Sequence, residues 1–255
     1  MATINNNSAQ TNQDTEKKAK IHPWRLCPVG EHWVRSHSMH IPPSKKHPEG
    51  YETIRRGHCA QNPSGKDVFY PEEINKISEQ SFKNIEPKAC PLELNYGAGG
   101  SKYDYLIAGW TKYWNEVFTL SDPLDPNFVK ALIATESSFD PNNLADRKNP
   151  NSARGLMQIT NLTRKILGDE KGELKNHFIN VTREELNDPS TNICAGIRWL
   201  FHKRKLASSK LNRQATWNET VYEFKGLKTV PKERAEELLG RVSVLLEKYK
   251  KCEKK

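Results

Sequence analysis

The sequence predicts a mainly α protein, with an all-helical C-terminal domain behind a small N-terminal module of short β pieces and a helix. Three observations lead there. Beyond residue 101, apolar residues recur at three- and four-residue steps, the period of a helix packed on one face. Asp125-Pro126 and Asp188-Pro189 each pair a capping side chain with a first-turn proline, a helix-start signal. Residues 21–70, in contrast, crowd Pro, His and Arg around short pieces such as Trp33-Val34-Arg35 and Tyr51-Glu52-Thr53-Ile54-Arg55.

Taken in order, residues 1–20 are rich in Asn, Gln, Thr and Lys and are expected to form a polar, disordered tail. Residues 21–96 form the irregular module. A turn is expected at Pro48-Glu49-Gly50, and a short helix from Pro71 with Ile74 and Ile77 inward. Gly97-Ala98-Gly99-Gly100-Ser101 marks a boundary or tight loop, and residues 101–255 make up the helical domain. There Tyr103, Leu106, Ile107, Trp110, Trp114, Val117 and Phe118 share one face. Phe128, Leu132 and Glu136 follow at four-residue spacing after Asp125-Pro126, so a carboxylate projects from an apolar side. Ile193, Ile197, Leu200 and Phe201 form the stripe after Asp188-Pro189, ahead of basic Lys203-Arg204-Lys205. Trp217, Val221 and Phe224 precede a capping Gly226, and Ala235, Leu238, Leu239, Val242, Leu245, Leu246 and Tyr249 line the last helix.

Composition narrows the function. The net charge of +9 suits an anionic polymer or surface. The charges are spread, and no helix carries a phosphate-tracking stripe, so nucleic acid is not an expected partner. No run of eighteen apolar residues exists, so membrane insertion is not expected either. The N-terminus lacks a basic patch followed by an apolar stretch, so the reading is synthesis in the cytoplasm without a standard secretory signal. Five cysteines, Cys27, Cys59, Cys90, Cys194 and Cys252, are odd in number and widely spaced, which does not describe a disulfide framework. Cys194 reads as a small core residue, whereas Cys27, Cys59 and Cys90 share the N-terminal half and are able to pair in an oxidising compartment. Histidines crowd the same region. Cys27, His32, His58 and Cys59 are the only metal-ligand candidates, but their spacing matches no standard structural-zinc pattern, and neither a metal nor another cofactor is expected.

Glu136 is the candidate acid. Cleaving a glycosidic bond requires a proton on the departing oxygen, and a carboxyl group holds one near neutral pH when burial disfavours its charged form. Leu132, Phe139 and Leu156-Met157 are the apolar neighbours that the sequence offers. On spacing alone, Glu136 is either this acid or a solvated residue near a helix end.

Longer motifs sharpen the choice. Glu136-Ser137, Phe139, Asp140 and Pro141 are followed by Gly155-Leu156-Met157-Gln158, and then by Asp188-Pro189-Ser190-Thr191-Asn192-Ile193-Cys194-Ala195-Gly196. These blocks, in this order over about a hundred residues, resemble the soluble lytic transglycosylase domain, a lysozyme-like family that cuts peptidoglycan. The resemblance implies that Glu136 is catalytic and that Ser137, Gly155, Met157, Gln158 and Thr160 lie along the sugar cleft. It implies a single carboxylate that protonates the bond between N-acetylmuramic acid and N-acetylglucosamine and then deprotonates the muramic C6 hydroxyl, giving a 1,6-anhydro product. In the family a tyrosine of the last block reaches toward the Glu. Here that block departs, reading Val221-Tyr222-Glu223-Phe224-Lys225-Gly226, with Tyr222 in the tyrosine position or, in a second register, Phe224. The alternatives to a transglycosylase are a non-catalytic glycan-binding or envelope-assembly protein on the same fold, and a hydrolytic lysozyme. The expected partner is the glycan strand. The expected place of action is the periplasm or cell wall, reached by phage lysis or a specialised secretion apparatus, the latter implying an antibacterial effector with an immunity protein.

Overall fold

The structure, a computed structural model, describes residues 24–86 and 89–251. The polar tail expected over residues 1–20 therefore lies outside the described residues, as does Cys252.

The N-terminal module is a β ribbon. Strand β1 (Glu31–Val34) pairs antiparallel with β4 (His58–Gln61), and β2 (His37–Ile41) with β3 (Tyr51–Arg55). Val34 faces His58 and His37 faces Arg55, so the two pairs share one register and form a single hairpin broken at residues 35–36 and 56–57. At the far turn the Gly50 N–H donates to the His47 carbonyl at 3.0 Å, consistent with the turn expected there. A two-stranded ribbon is marginal in water by itself. This one is anchored at its base, where a disulfide joins Cys27 to Cys59. Cys90 is disulfide-bonded as well. The Cys27–Cys59 bridge is one of the pairings that the sequence left open, because spacing carries no information on which cysteines the chain brings together. Cys194 is free and buried, and burial pushes its thiol well up.

A buried ion network ties the ribbon to the helices. The Arg25 side chain is fully buried, and its Nε donates to Glu73 Oε1 at 2.6 Å. Its Nη1 pairs with Asp67, and its Nη2 donates to the Glu31 carbonyl at 3.1 Å. Asp67 also pairs with His177 Nδ1 at 2.7 Å. Residues on both sides of Asp67 thereby join the ribbon to the helical body, and the parallel pairing of β5 (Val68–Phe69) with β6 (Phe178–Ile179) does the same through the backbone. Burial pushes the Asp67 carboxyl up, but the hydrogen bond from His177 and the charge of Arg25 outweigh it and hold Asp67 at about 2. The folded value lies below the unfolded one, so this contribution is complete above the ordinary carboxylate range and lost as pH falls toward 2. Denaturant titrations between pH 5 and pH 2 should show wild type losing about 2 kcal/mol more than Asp67→Asn.

The helices follow as the sequence patterns predict. Helix α1 (Pro71–Ser81) starts at its proline and buries Ile74 and Ile77. Residues 97–101 hold more than a loop, because α2 (Gly99–Lys102) occupies part of them. Then come α3 (Asp104–Phe118), α4 (Pro126–Ser137), α5 (Asn161–Gly168), α6 (Pro189–Leu211), α7 (Trp217–Phe224) and α8 (Lys232–Lys250). Both Asp-Pro signals act as expected: Asp125 accepts from the Asn127 N–H and Asp188 from the Thr191 N–H, each at 2.8 Å. Helix α6 forms the spine. The Trp110 and Trp114 indoles of α3 donate to Ser190 Oγ at 2.9 Å and to the Cys194 carbonyl at 3.0 Å, which satisfies both polar edges inside the core. One apolar cluster runs from Val68 to Tyr249, so β5 and α1 share the core of the helical body. Buried Lys130 of α4 pairs with Asp104 of α3 at 2.8 Å and donates to the Cys90 carbonyl, fixing the helix that carries Glu136. No helix among the described residues is long and apolar enough to cross a membrane.

Candidate active site

Helix α4 carries the candidate acid in its last turn. Its middle is buried almost all round, from Phe128 to Ala134, so the helix is set rigidly in the core. It ends sharply, because Ser138 and Phe139 both have left-handed backbones, at φ 53° and 64°. Two such non-glycine residues in succession cost on the order of 1–2 kcal/mol each. Burial of Phe139, whose ring packs edge-on against Tyr96 at 5.2 Å between centroids, offsets that cost. The abrupt stop leaves Glu136 at the edge of the core with its side chain 16% exposed.

The partner of Glu136 is a lysine. The Lys225 ammonium donates to Glu136 Oε1 at 2.5 Å and to Thr135 Oγ1 at 3.2 Å, and the lysine side chain is itself only 8% exposed. The Thr135 hydroxyl donates in turn to the Leu132 carbonyl at 2.9 Å. Among the described residues no group donates a hydrogen bond to Glu136 Oε2. Leu132, Phe139, Leu156 and Met157 are buried core residues, and the sequence reading did not include the cation that the structure places on the carboxylate.

Segment 153–160 lies behind the end of α4 and is tied to it twice. Buried Ser137 donates its hydroxyl to the Leu156 carbonyl at 2.9 Å. Asn143 bridges the two, with its Nδ2 donating to the Glu136 carbonyl at 3.4 Å and its carbonyl accepting from the Gly155 N–H at 2.9 Å. Asn192 of α6 clamps the turn from below: its Oδ1 accepts the Met157 N–H at 2.7 Å and its Nδ2 donates to the Leu186 carbonyl at 2.7 Å. Gly155 sits at φ +75°, and a Cβ added there would lie 2.1 Å from Asn192 Nδ2 and 2.5 Å from the Leu186 carbonyl oxygen. Gly155→Ala should therefore destabilise the fold by about 2–4 kcal/mol, combining left-handed strain with overpacking, as read from urea unfolding.

The structure sorts the site residues named from the sequence. Glu136 and Gln158 are partly exposed. The Gln158 amide donates to the Gly155 carbonyl at 2.8 Å and the Asn143 carbonyl at 3.2 Å, bracing the turn. Ser137, Gly155 and Met157 are buried. Met157 is fully enclosed, and a Cβ on Gly196 would lie 2.3 Å from its sulfur. Met157 thus packs inside the turn. Thr160 caps α5, accepting the Thr163 N–H at 3.0 Å. Tyr222 lines a cavity with Lys210, Leu211 and Leu239, and that lining does not include Glu136. Of the expected tyrosine block, the residue that reaches the acid is Lys225. Asn143, Asn192 and Lys225 were missed as site residues. Asn192 stood in a recognised block with no role attached, and Lys225 stood one position before a capping glycine. Among the metal candidates, Cys27 and Cys59 are joined to each other, His32 pairs with Asn62 at 2.7 Å, and His58 with the Arg56 carbonyl at 3.1 Å. Among the described residues no group of three or more His, Cys, Asp or Glu is placed to hold a metal ion.

A cavity of about 430 Å³ lies beside the end of α4, and Glu136 is not among its lining residues. It is lined by Tyr96, by Ala134, Thr135 and Ser138 of the α4 end, and by Arg241, Val244 and Leu245 of α8.

Comparison with known proteins agrees with the motifs. Residues 116–219 match the family described as the Transglycosylase SLT domain. Among solved structures, the 70 kDa soluble lytic transglycosylase from Escherichia coli matches with 18% sequence identity and a TM-score of 0.31, over 70% of this chain and 27% of that one. The chain thus spans little more than a quarter of that protein's length. No curated protein matches. Tyr222 and Lys225 lie just beyond the matched residues, whereas Glu136, the 153–160 turn and Asn192 lie within them. Residues 116–219 of this chain thus match the Transglycosylase SLT domain, a stretch that includes helices α4 to α6.

Proposed function

We propose that this chain is a peptidoglycan lytic transglycosylase in which Glu136 is the sole acid and base. The observation that carries the reading is the state of that carboxylate within an SLT domain. It is largely shielded at the end of a rigid helix, with one oxygen anchored by Lys225 and the other open. The open oxygen is the one available to a sugar. Glu136 protonates the oxygen between N-acetylmuramic acid and N-acetylglucosamine as the C1–O bond breaks, and the substrate's own acetamido group stabilises the cationic centre. The carboxylate then takes the proton from the C6 hydroxyl, whose oxygen bonds to C1 and closes the 1,6-anhydro ring. One carboxylate suffices because the nucleophile belongs to the substrate, in contrast to the two-carboxylate glycosidases. Ser137, Gly155 and Gln158 support this geometry by holding the helix end to the turn.

Mass spectrometry of the products from defined muropeptide chains tests the reaction. Anhydro products support it. Products heavier by one water per cut would instead identify a hydrolytic lysozyme. A second reading, a non-catalytic glycan-binding protein, is favoured by the ammonium sitting on the carboxylate. Zymography on purified cell wall separates the two, since only an enzyme leaves a clearing band.

The place of action proposed is the periplasm or cell wall. The Cys27–Cys59 bridge and the disulfide at Cys90 support it, because such bonds persist in oxidising compartments. Delivery by a phage lysis system, or by a secretion apparatus with an immunity protein in the producing cell, belongs to the same proposal. Expression directed to the periplasm should then be toxic where cytoplasmic expression is not; equal harmlessness counts against it.

A further inference from the structure

We propose that Lys225 is a positioning residue for Glu136, holding Oε1 so that Oε2 is the oxygen presented to the glycan. The inference deepens the function proposed above and rests on it. Three features support it. First, Lys225 is the residue that closes α7, with its N–H bonded to the Val221 carbonyl at 2.8 Å, and the chain turns away at once through Gly226 at φ +65°. The lysine stem is therefore launched from a fixed backbone. Second, its ammonium makes two contacts to adjacent residues of α4, Thr135 Oγ1 and Glu136 Oε1, so it cannot follow the carboxylate through another rotamer without losing the threonine. Third, Thr135 Oγ1 is itself fixed by its bond to the Leu132 carbonyl. The chain Leu132–Thr135–Lys225–Glu136 is a relay of fixed groups that ends on one oxygen of the acid. A glutamate has three staggered choices at each of its first two torsions and a broad, roughly two-fold third one that turns the carboxylate plane, and a catalytic group displaced by about 1 Å can lose about 10²-fold in rate. The tyrosine expected to reach the acid lines a cavity whose lining does not include Glu136, and the contact from the end of α7 to the acid is this lysine.

The test is steady-state kinetics of Lys225→Met on soluble glycan strands of defined length, with anhydro product counted by mass spectrometry. The expected result is a fall in kcat of about 10²-fold with KM little changed, the signature of an interaction that serves the transition state. Circular dichroism and thermal unfolding check the fold; if the methionine variant is unfolded, Lys225→Gln is measured in its place with the same two readings. A kcat within about twofold of wild type, or above it, overturns the inference, the latter showing that the lysine restrains the acid. A rise in KM alone also overturns it, by assigning Lys225 to substrate binding. Inactive wild-type protein sinks the function proposed above and this inference together, whereas active wild type with an equally active Lys225 variant sinks this inference alone.

Discussion

Glu136→Gln should abolish the release of anhydro products from glycan strands, lowering the rate by more than about 10²-fold and toward 10⁴-fold. The upper end is expected because one group serves twice. As acid it protonates the leaving oxygen, and as base it recovers a proton from the C6 hydroxyl; an amide does neither. The change is close in shape, and the Gln carbonyl oxygen still accepts from Lys225, which also keeps its bond to Thr135. The helix end is held independently by Ser137 on the Leu156 carbonyl and by Asn143. The variant should therefore remain folded, with a stability loss below the roughly 3–5 kcal/mol of breaking a fully buried pair, because the amide oxygen still accepts from Lys225. Retained turnover above about a tenth of wild type would remove Glu136 from the mechanism, since loss of a single acid–base group costs at least ten times more than that.

Arg25→Met should have the largest effect on stability. The guanidinium holds Asp67 and Glu73, and it stacks over the Phe69 ring at 4.2 Å from the centroid. Methionine fills part of the volume but leaves two carboxylates facing one another inside the protein. Breaking a buried pair from one side costs about 3–5 kcal/mol, because the surviving charge stays desolvated. Urea unfolding near pH 7 measures it. Replacing all three partners with apolar residues of similar size should cost much less than Arg25→Met alone. A loss below about 1 kcal/mol for Arg25→Met would mean that the network contributes no more than exposed ion pairs do. The network lies between the ribbon and the helical body, so the destabilised protein should open there first, detected by proteolysis within residues 31–61.

Much of the fold was legible in the sequence because its signals are local. Asp125 and Asp188 reach N–H groups two and three residues away. The apolar stripe of α3 is set by a period of 3.6 residues, and burial of Trp110 and Trp114 follows from it. The ribbon was legible only in outline. Alternation marked short strands, but their shared register depends on the turn at residues 47–50 and on the disulfide at the base. Gly97 to Ser101 looked like a loop because glycine is a poor helix former; α2 forms there despite that propensity, with Gly100 buried against residue 93.

At the candidate site the division is similar. Residue types along 136–158 identified an acid beside a tight turn, because motif spacing within one segment survives in any fold that uses it. Which of those residues meet solvent was not legible. Met157 and Gly155 face inward because Asn192, 35 residues from Met157, takes the turn's backbone N–H.

The helices, their caps, their apolar faces and the one glutamate worth testing follow from the order of residues alone, since each depends on neighbours within a few positions. It took the folded arrangement to bring Lys225, 89 residues along the chain, to that glutamate, Cys27 to Cys59, and Arg25 between Asp67 and Glu73. Such pairings join groups whose separation in sequence carries no energy of its own. They are chosen by how the whole core packs, because a buried charge is tolerable only where packing delivers its partner.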